Sequence, residues 1–139
     1  RGLVGSEMCI RDRYVTSGYF ADPHRPVYAI KPGAKGDISL KDDDNSNEYI
    51  QWYKPKGGPY NTTPLVYNGI YYLLLDQGMI STYDSKTGKQ FYDRIRFPRG
   101  ASFTTSPWAY KDRLFCLYTN FQKSVFIFSN LEIEKPLFI

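Results

Sequence analysis

The sequence has few cysteines and a single histidine, which limits the chemistry that it can carry. Its two cysteines are Cys9 and Cys116, and its one histidine is His24. Cys9 lies in an N-terminal stretch that is set aside below, which leaves Cys116 in an apolar run, where a thiol usually behaves as a small buried hydrophobe. With one cysteine, this chain cannot build a disulfide, a zinc site or a redox pair by itself.

The sequence also lacks a large excess of charge of one sign and a long apolar run. The 139 residues carry 18 Lys and Arg against 14 Asp and Glu, a formal net charge of +4. This excess is too small to indicate a nucleic-acid partner, which requires a strongly basic surface. No segment is long and apolar enough to span a bilayer. The sequence therefore predicts neither nucleic-acid binding nor a direct membrane span.

The N-terminal stretch does not read as part of a folded domain. The chain lacks an initiator Met, and residues 3–12, LVGSEMCIRD, resemble the translated read-through of a sequencing adapter at the end of a metagenomic open reading frame. Scars of this kind are excluded from fold reasoning. We therefore predict that residues 1–13 are an artefact that lies outside the fold, unpacked against it. The remainder holds 15 Lys and Arg against 12 Asp and Glu, a formal charge of +3.

Part of the sequence repeats itself. TPLVYNGIYYLLLDQG, starting at Thr63, returns as SPWAYKDRLFCLYTNF, starting at Ser106, with an offset of 43 residues. One four-stranded propeller blade occupies about 40 to 50 residues, and propellers close with about 4 to 8 blades. We predict an all-β fold, an incomplete β-propeller of about three four-stranded antiparallel blades. Their approximate spans are residues 14–60, 61–100 and 101–139.

The middle blade can be read strand by strand. Turns rich in Asn, Asp and Gly separate predicted strands at residues 65–67, 70–75, 79–83 and 90–97. The second strand is apolar on both faces, so we expect neighbouring blades to cover both sides of it. In the last turn, we expect the Asp84 side chain to accept backbone N–H bonds and Gly88 to adopt the left-handed conformation.

This last turn carries a family resemblance. Residues 82–92, TYDSKTGKQFY, resemble the A-x-D-x-x-T-G-K-x-x-W repeat of the pyrroloquinoline-quinone-like (PQQ-like) β-propeller proteins of bacteria. Thr82 stands where Ala is usual, and Tyr92 stands where the family has a Trp that docks against the adjacent blade. Upstream, Ala29 and Trp52 fall where the motif requires them, although the turn between them is longer. The resemblance covers residues 14 to about 128.

The resemblance implies two alternative functions. Quinoprotein dehydrogenases of this group hold PQQ and Ca²⁺ in the central funnel of a complete propeller and oxidise alcohols or sugars, using a carboxylate base, Ca²⁺ ligands and often adjacent cysteines. Other members, such as the outer-membrane assembly lipoprotein, use the same blades as a non-catalytic platform for partners. This chain has no adjacent cysteines and no acidic residue in a setting that resembles the dehydrogenase site.

We therefore interpret the chain as a fragment of a non-catalytic binding or scaffolding propeller, with an unidentified protein or small molecule as the partner at the funnel. The alternative is a fragment of a PQQ- and Ca²⁺-dependent alcohol or sugar dehydrogenase. The resemblance also implies export to the periplasm or the cell exterior, since such relatives usually carry signal peptides. We assign no catalytic and no metal residue to the chain, expect no cofactor in the fragment itself, and leave the cofactor-binding residues of a complete protein unassigned.

Several local patterns have a structural interpretation that we prefer to a functional one. Residues 42–48 are rich in Asp and Asn, but Asn47 and Tyr53 stand where a Ca²⁺ loop needs Gly and Glu, so we predict a solvated insertion loop. His24 lies in a turn-like stretch with no second ligand nearby. Trp52 is predicted to dock between blades and not to stack on bases.

The remaining patterns concern surfaces. The segment 56–59, KGGP, lacks the spacing of a phosphate loop. Arg94, Arg96 and Arg99 are predicted to form a mildly basic outer strand that discourages edge-to-edge aggregation. An incomplete propeller leaves the faces of its first and last blades open and apolar, so we expect the chain alone to self-associate or to be poorly soluble.

Overall fold

The chain folds into three four-stranded antiparallel sheets. The computed structural model describes residues 4–8, 12–19, 21–41, 43–97, 102–118, 124–129 and 132–133. The strands are β1 (Val4–Met8), β2 (Arg13–Thr16), β3 (Val27–Ile30), β4 (Ile50–Lys54), β5 (Leu65–Tyr67), β6 (Ile70–Leu75), β7 (Met79–Asp84), β8 (Gln90–Arg96), β9 (Trp108–Tyr110), β10 (Arg113–Tyr118), β11 (Ser124–Ser129) and β12 (Glu132–Ile133). The sheets have the strand orders β1-β2-β3-β4, β5-β6-β7-β8 and β12-β11-β10-β9, so each is a meander of consecutive strands, named here blades 1, 2 and 3. The predicted all-β class with three blades is confirmed.

Blade 1 differs from the prediction in where it begins. Val4–Met8 forms its first strand and pairs antiparallel with β2, with Val4 opposite Thr16 and Met8 opposite Arg13. Residues 4–8 therefore lie within the first sheet, whereas the sequence analysis placed residues 1–13 outside the fold. The physical reason is that pairing at a sheet edge uses backbone N–H and C=O groups, which any extended segment provides. The adapter origin of the segment stays a prediction.

The sequence repeat reappears as a repeat of local geometry. The turn between β5 and β6 holds Asn68 and Gly69 at φ values of 49° and 77°. The turn between β9 and β10 holds Lys111 and Asp112, offset by 43 residues, at φ values of 48° and 58°. Positive φ at both central residues is the signature of the two-residue hairpin turn that matches the twist of paired strands. Blades 2 and 3 are thus built on one local plan.

The hydrophobic core lies between the blades. One cluster joins blade 1 to blade 2, and its buried members are Tyr14, Val27, Ala29, Trp52, Tyr71, Leu73, Leu75 and Tyr83. A second cluster lies between blades 2 and 3, and its buried members are Tyr72, Leu74, Ile80, Phe97, Phe103, Leu114 and Cys116. Successive residues of β6 alternate between the two clusters, which confirms that this strand is covered on both faces.

Trp52 docks blade 1 onto blade 2. Its side chain is 5% exposed, and its indole Nε1 donates a hydrogen bond of 2.8 Å to the carbonyl oxygen of Ser85 in the last turn of blade 2. The hydroxyl of Tyr14 donates to the same oxygen at 2.9 Å. A Cβ on Gly88 would lie only 2.7 Å from Cγ of Trp52, so the glycine of the T-G-K turn makes room for the ring. The predicted docking role of Trp52 is confirmed.

The matching position of blade 2 is less well packed. Tyr92 pairs with Thr82 in the register in which Trp52 pairs with Ala29, yet Tyr92 is 40% exposed. The Thr82 hydroxyl, which replaces the usual methyl of Ala, is buried without a hydrogen-bond partner among the described residues. A buried hydroxyl that makes no hydrogen bond carries a desolvation cost.

Asp84 organises the turn between β7 and β8. Its Oδ1 accepts hydrogen bonds from the amide of Lys86 at 3.0 Å, the amide of Thr87 at 2.7 Å and the hydroxyl of Thr87 at 2.9 Å. Gly88 follows with φ of 67°. Both expectations for this turn are confirmed. The amide of Thr87 and then its hydroxyl lower the pKa of the Asp84 carboxyl, because they stabilise its ionised form.

This depressed pKa gives a prediction for acid unfolding. Because the folded pKa lies below the unfolded value of about 3.9, the stabilisation is fully present above that value and is lost as pH falls through the folded pKa. We expect Asp84→Asn to lower the free energy of unfolding at pH 7 and to lose this difference from the unmodified chain between about pH 5 and pH 2. Urea titrations monitored by circular dichroism at several pH values measure it. Thr87→Ala, which keeps the backbone donors, is the matched variant and should show a smaller pH-dependent difference; a constant Asp84→Asn difference across the range would contradict the assignment.

Candidate functional site

Three connections meet at one end of the seam between blades 1 and 2, called the loop end here. Their described parts are residues 17–19 and 21–26, 55–64, and 76–78, in the connections from β2 to β3, β4 to β5 and β6 to β7. The amide of Gly58 donates to the carbonyl oxygen of Arg25 at 2.8 Å. A Cβ on Gly58 would lie 2.4 Å from the carbonyl oxygen of Ser17, so only glycine permits this approach. This glycine of the KGGP segment therefore allows the two connections to pack closely.

A small cleft opens at the loop end. It has a volume of about 100 Å³, and it is lined by Arg25, Gly57, Tyr60, Leu75, Asp76, Gln77, Met79 and Arg94. Blade 1 and the connection after it supply the first three of these residues, and blade 2 supplies the others. Two arginines thus line one cavity between two blades.

Asp76 ties the connections of the cleft together. Its Oδ2 accepts the amide of Tyr60 at 2.8 Å, and its Oδ1 accepts the amide of Asn61 at 2.9 Å. Its carbonyl oxygen accepts the hydroxyl of Ser102 at 3.0 Å, in the connection that leads to blade 3. The side chain of Asp76 therefore fixes the loop between blades 1 and 2, while its main chain holds the next loop.

Arg94 reaches the cleft through an irregularity in β8. The ladder between β7 and β8 shifts register between Ile80 and Thr82, and Arg94 has a left-handed φ of 47°. Its amide donates to the hydroxyl of Ser81 at 3.0 Å. Bulges bend a strand and redirect its side chains, and they occur often beside binding sites. A single bulge thus accounts for the place of this arginine in the cleft.

The arrangement suits recognition of a small anionic group. Arginine donates paired N–H bonds that match a carboxylate or a phosphate, and Arg25 and Arg94 both line the cleft. The lining carboxylate, Asp76, already accepts two amides. A cavity of about 100 Å³ is smaller than the roughly 300–1,000 Å³ of sites for larger organic ligands, so it can take only a small group.

The loop-end cleft does not fit PQQ and Ca²⁺ by itself. Its volume of about 100 Å³ is too small for a tricyclic quinone. Ca²⁺ takes six to eight oxygen ligands, whereas no group of three His, Cys, Asp or Glu side chains comes together within the part of the chain that the structure describes. No step of quinone chemistry can be assigned to the residues of the cleft.

The insertion loop of blade 1 is organised by Asn47. Its Oδ1 accepts the amides of Tyr49 at 2.8 Å and Ile50 at 2.6 Å, and its Nδ2 donates to the carbonyl oxygens of Ile38 and Ser39, each at 3.2 Å. Asp43, Asp44 and Glu48 are exposed, as expected for a solvated loop. Asp42 lies outside the described residues.

The other residues singled out from the sequence lie apart from one another. His24 is exposed in the loop between β2 and β3, where its amide donates to Asp22 at 2.8 Å. Cys116 is buried between blades 2 and 3, and burial raises the pKa of its thiol far above the ordinary value. Arg96 lies on the exposed β8, and Arg99 falls outside the described residues. The places of Arg25 and Asp76 in the cleft are not predictable from the sequence, because nothing local marks two separate loops as neighbours.

Within the described residues, the structure contains no helix that is long and apolar enough to cross a membrane. No protein-family model matches the chain, and no curated protein matches it.

The chain is similar in structure to parts of larger proteins. It matches a europium-containing methanol dehydrogenase with a TM-score of 0.63 and 19% identity, covering 90% of this chain and 22% of that one. It matches the quinohemoprotein alcohol dehydrogenase of Comamonas testosteroni with a TM-score of 0.68 and 14% identity, covering 99% of this chain and 21% of that one. It also matches BamB of Moraxella catarrhalis with a TM-score of 0.54 and 15% identity, covering 97% of this chain and 37% of that one.

The chain therefore spans about a fifth of the length of the two dehydrogenases. At these identities the likeness concerns the fold. Three successive four-stranded blades, the T-G-K turn and the docked Trp52 agree with it. The chain has the PQQ-like β-propeller fold, as an incomplete propeller of three blades.

Proposed function

We propose that this chain is part of a β-propeller that binds or scaffolds a partner without catalysing a reaction. The observation that carries the proposal is the state of Asp76. This is the carboxylate that lines the loop-end cleft, and both of its oxygens accept backbone amides. A carboxylate used in this way supports the loops, and the described lining of the cleft holds no second carboxylate, His, Cys or Lys that could act with it as an acid–base pair.

The groups that the cleft offers are suited to binding. Arg25 and Arg94 lie on opposite sides of the seam, so a partner that engages both also bridges two blades. Side chains held by a scaffold at the ends of strands are a common basis of recognition. The partner is a protein or a small molecule that binds at the loop end of the complete propeller. The propeller itself is exported from the cytoplasm.

A second candidate is a fragment of a PQQ- and Ca²⁺-dependent alcohol or sugar dehydrogenase. It is favoured by the names of two structural neighbours, a methanol dehydrogenase and a quinohemoprotein alcohol dehydrogenase. Under this alternative, other blades of a complete propeller supply the carboxylate base and the Ca²⁺ ligands, while the three blades described here form part of the wall.

Dye-linked oxidation separates the two proposals. The polypeptide of the complete open reading frame is incubated with PQQ, Ca²⁺, a primary alcohol or a sugar, and an electron-accepting dye. The binding proposal predicts no dye reduction above that of the same mixture without the polypeptide. Dye reduction that requires PQQ and disappears when Ca²⁺ is chelated would overturn this proposal and establish the dehydrogenase. Once a binding partner is found, Arg94→Gln tests whether it binds at the cleft, because Arg94 lines the cleft.

A further inference from the structure

The lining of the loop-end cleft holds more positive than negative charge. It includes two arginines, Arg25 and Arg94, and one acidic residue, Asp76. The other residues that line it have no charged side chain: Gly57, Tyr60, Leu75, Gln77 and Met79. One positive charge is therefore left over, and a ligand with a single negative charge balances it.

Both guanidinium groups are available to such a ligand. Among the described residues, the side chain of Arg25 has no hydrogen bond or ion pair, and only its main-chain carbonyl accepts a bond, from Gly58. Nε of Arg94 lies 4.0 Å from Oδ1 of Asp93, and these two side chains are 53% and 66% exposed. An ion pair this long and this exposed is weak, and it does not engage the two terminal nitrogens of the guanidinium group.

The charge balance distinguishes between anions. A carboxylate carries one negative charge, whereas a phosphate group carries about 1.5 to 2 at pH 7. A second negative charge in the cleft faces Asp76, and like charges brought together away from bulk water repel each other. Asp76 is fixed there by the amides of Tyr60 and Asn61. The cleft therefore favours a carboxylate over a phosphate.

The wall of the cleft is partly apolar. Leu75 ends β6 and pairs with Met79, which begins β7, and both side chains line the cleft. Leu75 is buried, with 8% of its surface exposed. Hydrocarbon beside the anionic group gains from contact with this wall, whereas inorganic phosphate has no hydrocarbon to place there.

An aromatic pair lies at the rim. The ring of Tyr60, which lines the cleft, packs edge-on against the ring of Tyr19, with centroids 5.9 Å apart and an interplanar angle of 71°. The two side chains are 42% and 52% exposed. Tyrosine offers an apolar ring with a polar tip, which makes it frequent on recognition surfaces. The pair therefore extends the binding surface beyond the cleft itself.

We propose that the loop-end cleft binds a carboxylate monoanion that ends a short apolar group, with Arg25 and Arg94 donating to its oxygens from the two sides of the seam. This ligand class rests on the binding function proposed above and gives its partner a chemistry. A free aliphatic acid and the C-terminal residue of a polypeptide share that chemistry. Of these two, the polypeptide is long enough to cover the Tyr19–Tyr60 pair as well.

The first test compares three small probes on the full chain. Nuclear magnetic resonance titrations that follow the arginine side-chain Nε–H signals measure binding of propionate, of uncharged propionamide and of inorganic phosphate, at pH 7 and one ionic strength. Propionate should bind about 10-fold or more tightly than each of the others, because its bonds to arginine are charge-assisted and its charge matches the cleft. Equal binding of propionate and propionamide, tighter binding of phosphate, or no binding of propionate would overturn the proposal. Neither quinone nor dye is present, so this result is independent of the dehydrogenase assay.

Substitutions locate the site. Arg25→Gln and Arg94→Gln should each weaken propionate binding by about 10-fold, because each removes one charged donor. Arg113→Gln is the matched control: Arg113 is exposed, and it corresponds in the repeat to Ile70, at the end of β6 away from the cleft. It removes the same charge and should change the affinity by less than about twofold. If all three variants weaken binding equally, propionate responds to the net charge of the protein and the cleft is not its site. Circular dichroism confirms that each variant is folded.

Labelled peptides identify the source of the carboxylate. Two short peptides that end in leucine, one with a free carboxylate and one with a C-terminal amide, are titrated by fluorescence anisotropy. Tighter binding of the free-acid peptide than of both the amide and propionate assigns the cleft to a polypeptide C-terminus, and Tyr19→Ser should then weaken the peptide but not propionate. Weaker binding of the free-acid peptide than of propionate assigns the cleft to a free aliphatic acid. Both results support a carboxylate site, whereas a peptide amide that competes with propionate as well as the free acid does would contradict it.

Discussion

Replacing Trp52 with Ala is expected to lower the free energy of unfolding by about 3–5 kcal/mol, as for other buried aromatic residues. The ring is 5% exposed, lies at 6.3 Å and 27° to the ring of Tyr83 and donates to the carbonyl oxygen of Ser85 at 2.8 Å. The variant loses the ring contacts, leaves a cavity between blades and removes one of the two donors to that oxygen. Urea unfolding followed by circular dichroism measures the change, at one protein concentration because association makes the midpoint concentration-dependent.

The matched control is Tyr92→Ala. Tyr92 occupies the same register position in blade 2, but it is 40% exposed, so we expect a loss of about 1 kcal/mol or less. Trp52→Phe keeps a ring and loses the indole donor, which should cost about 1–2 kcal/mol. Equal effects of Trp52→Ala and Tyr92→Ala would contradict the conclusion that the docking position of blade 1 is better packed than the matching position of blade 2.

The elements that the sequence predicted well depend on short-range signals. The strands of blade 2 were placed within one residue of their observed bounds, because tight turns rich in Asn, Asp and Gly constrain where each strand begins and ends. The Asn68–Gly69 turn needs positive φ at both residues, and both have it. Trp52 was predicted to dock from its place in the repeat, and its hydrogen bond to Ser85 agrees.

What the sequence did not predict depends on contacts between distant segments. The pairing of Val4–Met8 with β2 uses backbone groups, which leave no mark in the residue types. The cleft joins Arg25 to Arg94, residues 69 positions apart in the sequence, and one of them depends on a bulge that no sequence pattern announced. Lys54 likewise lies over the ring of Tyr83 in the next blade, 5.9 Å from its centroid, a contact that only the assembled seam defines.

The insertion loop shows the same limit within one blade. Its acidic composition predicted exposure, and Asp43 and Asp44 are exposed. The composition could not indicate that Ile38 and Leu40 would line a cavity at the far face of blade 1. That outcome depends on how Asn47 folds the loop back, through bonds to Ile38 and Ser39. A loop predicted only as a connection therefore shapes one face of blade 1.

Replacing Gly88 with Ala is expected to lower the free energy of unfolding by about 2–5 kcal/mol. Part of the cost is the left-handed φ of 67°, which costs an L-residue roughly 1–2 kcal/mol. The rest is overpacking of roughly 1–3 kcal/mol, since the new Cβ would lie 2.7 Å from Cγ and 2.8 Å from Cδ2 of Trp52. Gly69→Ala is the matched control, because Gly69 has φ of 77° and no atom within 4 Å of a Cβ added there, so it should show the backbone cost alone.

A double-mutant cycle separates the two contributions to the cost of Gly88→Ala. In a Trp52→Ala background the ring is gone and only the Cβ of residue 52 stays close to the added Cβ, at 3.1 Å, so Gly88→Ala should cost little more than Gly69→Ala does in the unmodified chain. The difference between the two backgrounds, roughly 1–3 kcal/mol, is the coupling between the ring and the glycine. All four proteins are compared in sucrose, which strengthens effective burial and keeps the doubly substituted chain folded. If Gly88→Ala costs the same in both backgrounds, the left-handed backbone conformation alone requires glycine at this position. The absence of a side chain at Gly88 would then not be needed to make room for the Trp52 ring.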